Sequence, residues 1–85
     1  PRNDIALLVL AVLADGAAHG YAIAREIDRR CDGDPVLRDG ALYPALRVLE
    51  EEGLIIGEWE NPPGGGPPRR TYRLTDVGRA ERVRR

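Results

Sequence analysis

Residues 61–68 read NPPGGGPP, and no regular element can run through them. Proline lacks the N–H that a helix interior or a sheet ladder uses, and glycine loses the most backbone entropy when ordered. The flanks have the opposite character. LIIGEWE, residues 54–60, is β-branched and aromatic. RRTYRLT, residues 69–75, alternates, with Thr71 and Arg73 on one face and Tyr72 and Leu74 on the other. Two strands around a Gly/Pro tip predict a β-hairpin with a long loop.

The sequence before the hairpin has helical spacing. Residues 4–14 predict a first helix, capped by Asn3 or Asp4, apolar nearly all round and so central to the core. Asp15-Gly16 ends it, and AAHG is read as a turn. YAIAREIDRRC, residues 21–31, predicts a second helix with Ile23 and Ile27 inward and charged residues outward. DGDPV then breaks the chain. GALYPALRVLEEEGLI, residues 40–55, opens with a third helix to about residue 52. Leu42, Ala45, Leu46 and Leu49 form its stripe, and Gly53 stops it. After the hairpin, Thr75 can cap a last helix whose apolar positions are Val77, Ala80 and Val83.

The fold class is mainly α with a small β-hairpin (α+β): three helices, a two-stranded wing and the start of a C-terminal helix. This is the winged helix-turn-helix arrangement, whose usual use is DNA binding. Residues 1–75 form that domain and 76–85 begin the final helix. A chain of 85 residues buries roughly 60% of its unfolded surface, so a partner subunit would add contact.

Hydrophobic residues make up 42% of the chain and charged residues 32%, a soluble globular balance. The apolar run at 5–14 is shorter than the roughly 20 residues a membrane helix needs. No signal-peptide cleavage pattern follows it, so a cytoplasmic protein with no membrane partner is expected. The lone Cys31 cannot form an internal disulfide, and it is read as a partly buried small residue. The net charge of −1 argues against nucleic acid, but its distribution argues for it. Residues 1–60 carry 6 Arg and 12 acids, or −6; residues 61–85 carry 7 Arg and 2 acids, or +5. The positive end is where an anionic partner would dock.

The combination of HGY at 19–21, ALYPALRVLEEEGLI at 41–55, EWE at 58–60, RRTYRLT after the glycine tip and TDVGRA at 75–80 resembles the PadR family of bacterial transcriptional regulators. The resemblance covers nearly the whole chain. It implies a homodimeric repressor that binds a palindromic double-stranded DNA operator and is released by a small effector. It also implies dimerisation through a C-terminal helical segment, and a threonine where this chain has Ala41.

The residues themselves supply candidates. Proline is tolerated only in a helix's first turn, so Pro44 places the helix start near 41–43 or distorts that turn. Tyr43, Pro44 and Arg47 then face outward from the end that a recognition helix aims at base edges. Tyrosine can bond a phosphate or pack on a thymine methyl, and arginine can grip guanine bidentately. The plainer reading packs Tyr43 on the hairpin. Arg69 and Arg70 follow the tip and can meet phosphates or a narrow minor groove; otherwise they solubilise an exposed hairpin. Arg38 and Tyr21 are candidate phosphate ligands, Tyr21 being otherwise a core-edge residue. Arg73 can instead pair with Glu58 or Glu60. His19 is read as a turn or cap residue, Gly20 as allowing tight packing and Trp59 as a hairpin packing residue. Glu50, Glu51 and Glu52 are read as a solvated helix end. No cofactor, metal site or enzyme activity is expected: paired catalytic groups are absent, and the GGG tip lacks the lysine and helix of a phosphate loop. The alternative function is a winged helix used for protein interaction.

Overall fold

A computed structural model describes residues 2–30 and 40–84. The elements run α1 (Arg2–Ala14), β1 (Ala18–His19), α2 (Gly20–Arg30), α3 (Leu42–Glu51), β2 (Ile55–Glu60), β3 (Arg69–Leu74) and α4 (Asp76–Arg84). The expected helices and hairpin are present, in the expected order. Arg38 and Cys31 lie outside the described residues.

The first helix has no single apolar stripe because neighbours surround it. It packs on α2, α3, α4 and β3. Val9, Leu10 and Leu13 are sealed, and Ile23 and Ile27 from α2 meet them with Leu42, Leu46 and Leu49 from α3. Ile55, Tyr72 and Leu74 close the core from the hairpin.

The turn that ends α3 fixes where the hairpin leaves. Gly53 adopts φ 77°, a left-handed conformation natural to glycine. Its N–H donates to the Glu50 carbonyl (3.0 Å), and the Leu54 N–H donates to the Leu49 carbonyl (3.0 Å). This is a Schellman closure, with the apolar residue after the glycine turned into the core.

The structure differs from the sequence reading at three elements. The first helix begins at Arg2, so Asn3 and Asp4 lie within it and do not cap it. AAHG is not only a turn: Ala18 and His19 pair with Tyr72 and Thr71, giving an antiparallel sheet of order β1-β3-β2. Two residues have no alternation to read, and the free edge of β3 recruits them. The third difference is α4. Thr75 caps it as expected, its Oγ1 accepting the Gly78 N–H at 2.9 Å. Among its described side chains, however, the buried position is Gly78, while Val77 and Ala80 lie exposed; the Val83 side chain lies outside the described residues. A Cβ on Gly78 would stand 2.0 Å from the Leu54 carbonyl oxygen. Close backbone approach, not an apolar stripe, decides which face of α4 turns inward.

Candidate nucleic-acid interface

The N-terminal turn of α3 forms the centre of the candidate site. Leu42 is the first helical residue, so Pro44 is the third. The first four N–H groups of a helix have no internal partner, so a proline there removes no bond. The turn is undistorted, and the Ala45 N–H reaches the Ala41 carbonyl at 3.2 Å. Ala41 occupies the cap position and supplies no side-chain bond. With the leucines inward, Tyr43, Pro44 and Arg47 are exposed, as expected. Arg47 has no ion-pair partner among the described residues.

Tyr43 packs against the start of α2. A Cβ on Gly20 would lie 2.8 Å from the Tyr43 hydroxyl oxygen, so only glycine leaves that ring its place. Beside it, His19 caps α2: its Nδ1 accepts the Ala22 N–H at 3.3 Å. The His19 ring lies parallel to Tyr21 at 6.4 Å, and the Arg25 guanidinium sits 5.7 Å from the Tyr21 ring centre. Tyr21 is 65% exposed, so it is a surface residue and not a core edge. The sequence places Arg25 on the outer face of this helix but not on Tyr21; its spacing of four from Tyr21 is the signal for that contact.

The wing arginines separate. Neighbouring strand residues point to opposite faces, so Arg69 and Arg70 lie on opposite sides of the hairpin. Arg69 faces outward opposite Glu60, its Nε 3.8 Å from the carboxylate and without a hydrogen-bond partner. On the same face Arg73 pairs with Glu58 at 3.5 Å, as expected, and Thr71 Oγ1 donates to Glu60 at 2.7 Å. Arg70 faces α3. Its guanidinium donates to Glu50 at 2.6 Å and lies 5.6 Å from the Trp59 ring and 6.0 Å from the Tyr72 ring. The bond to Glu50 raises the Arg70 pKa above its ordinary value, and burial raises that of Tyr72. Glu51 and Glu52 are solvated, but Glu50 is half-buried in this pair.

The structure therefore brings Tyr21, Tyr43, Pro44 and Arg47 to the exposed α2–α3 surface and sets Arg69 apart on the wing. Among the described residues, no group of three or more His, Cys, Asp or Glu side chains could hold a metal, and no helix is long and apolar enough to cross a membrane. A groove between the end of α1 and α2 has Asp15, Glu26 and Arg30 in its lining, and their charges already pair with one another.

Comparison with known proteins completes the picture. The transcriptional regulator PadR-like family matches residues 9–84. The chain belongs to the PadR-like family. Members are transcriptional regulators, not enzymes. Among curated relatives, the transcriptional regulator Rv3488 of Mycobacterium tuberculosis is 38% identical over 79 residues, covering 93% of this chain and 69% of that protein. A transcriptional regulator from Clostridium thermocellum superposes with a TM-score of 0.85 at 26% identity, over 98% of this chain and 77% of that one. Bacillus subtilis PadR, crystallised in complex with operator DNA, superposes with a TM-score of 0.83 at 25% identity, over 99% of this chain and 47% of that one. The winged-helix PadR fold is thus shared across the whole chain.

Proposed function

We propose that this PadR-like chain is a sequence-specific DNA-binding regulator, acting as a cytoplasmic homodimeric repressor that a small effector releases. The observation that carries the reading is the N-terminal turn of α3. Its apolar side is locked into the core while Tyr43, Pro44 and Arg47 stand free, beside Tyr21 on α2. That turn is the part of a recognition helix that meets base edges. Arg47 reads a base edge, and Tyr43 and Pro44 pack on the groove wall. Tyr21 contacts a phosphate. Arg38, just before α3 in sequence, is assigned to a phosphate on that position alone. On the wing Arg69 is the cation assigned to a phosphate, because its contact with Glu60 is loose, at 3.8 Å, with no hydrogen bond to Nε. Arg70 stands apart from this set, because Glu50 already holds its guanidinium. The operator complex of the Bacillus subtilis relative supports the reading. Residues 1–75 bind DNA, and 76–85 begin the dimerising helix, whose Val77 and Ala80 lie open for a partner subunit.

Fluorescence anisotropy on a duplex from the gene's own upstream region, against a scrambled duplex at two salt concentrations, tests this. The expected result is preference for the native duplex and a steep loss of affinity with salt. Equal, salt-insensitive binding would instead favour the protein-interaction alternative, which the net charge of −1 supports.

A further inference from the structure

We propose that Glu50 and Arg70 form a strut that fixes the angle of the wing against α3, which makes Glu50 a positioning residue for DNA binding. The inference deepens the DNA-binding reading and rests on it.

The ribbon leaves the core quickly. Ile55 and Leu74 are buried, whereas Trp59, two pairs further out on the same face, is 68% exposed. Arg70 stands opposite Trp59 at this outer level. From there it reaches back to the last turn of α3 and bonds Glu50, twenty residues away in sequence. Both partners are half-buried, with side chains 33% and 30% exposed, so water screens the pair less than a surface pair.

The site holds this guanidinium on several sides. Trp59 and Tyr72 present their rings to it. The residue opposite Tyr72 is Gly57, and a Cβ there would stand 2.8 Å from the Arg70 Nε and 3.0 Å from a terminal nitrogen. Glycine in a strand interior weakens it, and close approach of another group is a recognised reason for one. Here the bare backbone of Gly57 gives the arginine room. Arginine suits the place, since a planar fork can stack and bond a carboxylate together.

The strut predicts a result opposite to simple electrostatics. Removing an acid from a DNA-binding surface should tighten binding to a polyanion. Removing Glu50 should weaken it, because the wing loses its fixed angle. Trp59 is the only tryptophan in the sequence, so its fluorescence reports the wing with no DNA present.

The experiment is a double-mutant cycle in the protein with Glu50→Ala, Arg70→Ala and both, each checked for a folded circular dichroism melt. Acrylamide quenching of Trp59 and operator affinity are read for each. The expected outcome is faster quenching in every variant, and affinity lowered by about fivefold to tenfold in each single, with the double no worse than either, as contacting pairs behave. The strut is overturned if Glu50→Ala leaves Trp59 quenching unchanged. It is overturned equally if Glu50→Ala tightens binding while Arg70→Ala weakens it and the two effects add, which would make Arg70 a phosphate ligand. Failure of the DNA reading itself looks different: the unmutated protein shows no operator preference, while Trp59 quenching still responds to Glu50→Ala.

Discussion

Gly20 and Tyr43 show how one missing methyl shapes a surface. An alanine at 20 would place its Cβ 2.8 Å from the Tyr43 hydroxyl oxygen, the far end of a flexible side chain that can swing aside. Gly20→Ala should therefore leave stability within about 1 kcal/mol of the parent. It should still weaken operator binding several-fold, because Tyr43 leaves its place beside the groove. A thermal melt with anisotropy checks both halves; unchanged affinity would remove Tyr43 from the interface. A second residue-scale prediction concerns acid. Arg29 and Arg30 hydrogen-bond the Glu26 carboxylate and hold its pKa at about 2, below the ordinary 4.5. A depressed carboxylate pKa adds stability that is full above 4.5 and is lost as pH falls towards 2. The melting-temperature gap between the parent and Glu26→Gln should shrink across that window at low salt. It should be smaller at high salt, since ions screen a partly exposed pair. The sequence carried part of this residue scale. The outward facing of Tyr43, Pro44 and Arg47 follows from the leucine stripe, and the opposite facing of Arg69 and Arg70 was present in the strand period. What spacing did not carry was the partner of each side chain. Glu50 meeting Arg70 depends on how far the hairpin folds back over α3.

At the scale of elements, the test is α4. Gly78 lets the helix backbone rest on the Leu54 carbonyl, and Thr75 ties the same place down. The Thr75 N–H reaches the Leu54 carbonyl at 3.1 Å, and its hydroxyl donates to the Gly53 carbonyl at 2.7 Å. An alanine at 78 would put its Cβ 2.0 Å from a backbone oxygen, which cannot rotate away. Helix propensity favours alanine over glycine by about 1 kcal/mol, so propensity alone predicts stabilisation. The clash should win. Gly78→Ala is expected to destabilise by about 1–3 kcal/mol or more, as overpacked sites do. A urea-unfolding free energy lowered by that amount would confirm the contact, and a raised one would discard it. The same residue explains why α4 was half-legible. Its cap is a local signal, and Thr75 was read correctly. Its inward face is set by a backbone contact with a residue 24 positions earlier, and no periodicity of Val77 and Ala80 encodes that. The first three helices and the hairpin were legible because a 3.6-residue stripe, a two-residue alternation and the Pro/Gly block are all local. β1 was not, because its two residues become a strand only when β3 offers an edge.

On the scale of the whole molecule, the charge split and the proposed dimer make one geometric demand. The final quarter of the chain carries the excess of arginine, while the −6 of residues 1–60 resists close approach of DNA elsewhere. A single copy then offers one helix turn and one loosely held wing arginine, a modest phosphate footprint. Two copies related by a two-fold axis double that footprint and hold their recognition turns a fixed distance apart. Half-sites should therefore be centred about one DNA turn, roughly 10–10.5 base pairs, or a multiple of it, apart. Inserting about half a turn between the half-sites carries the second one to the far side of the duplex. Affinity should then fall towards that of one half-site, and the salt slope should fall with it, because half the phosphate contacts are gone. A full-turn insertion returns the second half-site to the same side but moves it further along, so a rigid dimer should recover only part of the loss. Equal affinity for all three spacings would mean that the copies bind independently, and would remove the dimer from the proposed function while leaving the α3 contacts in place.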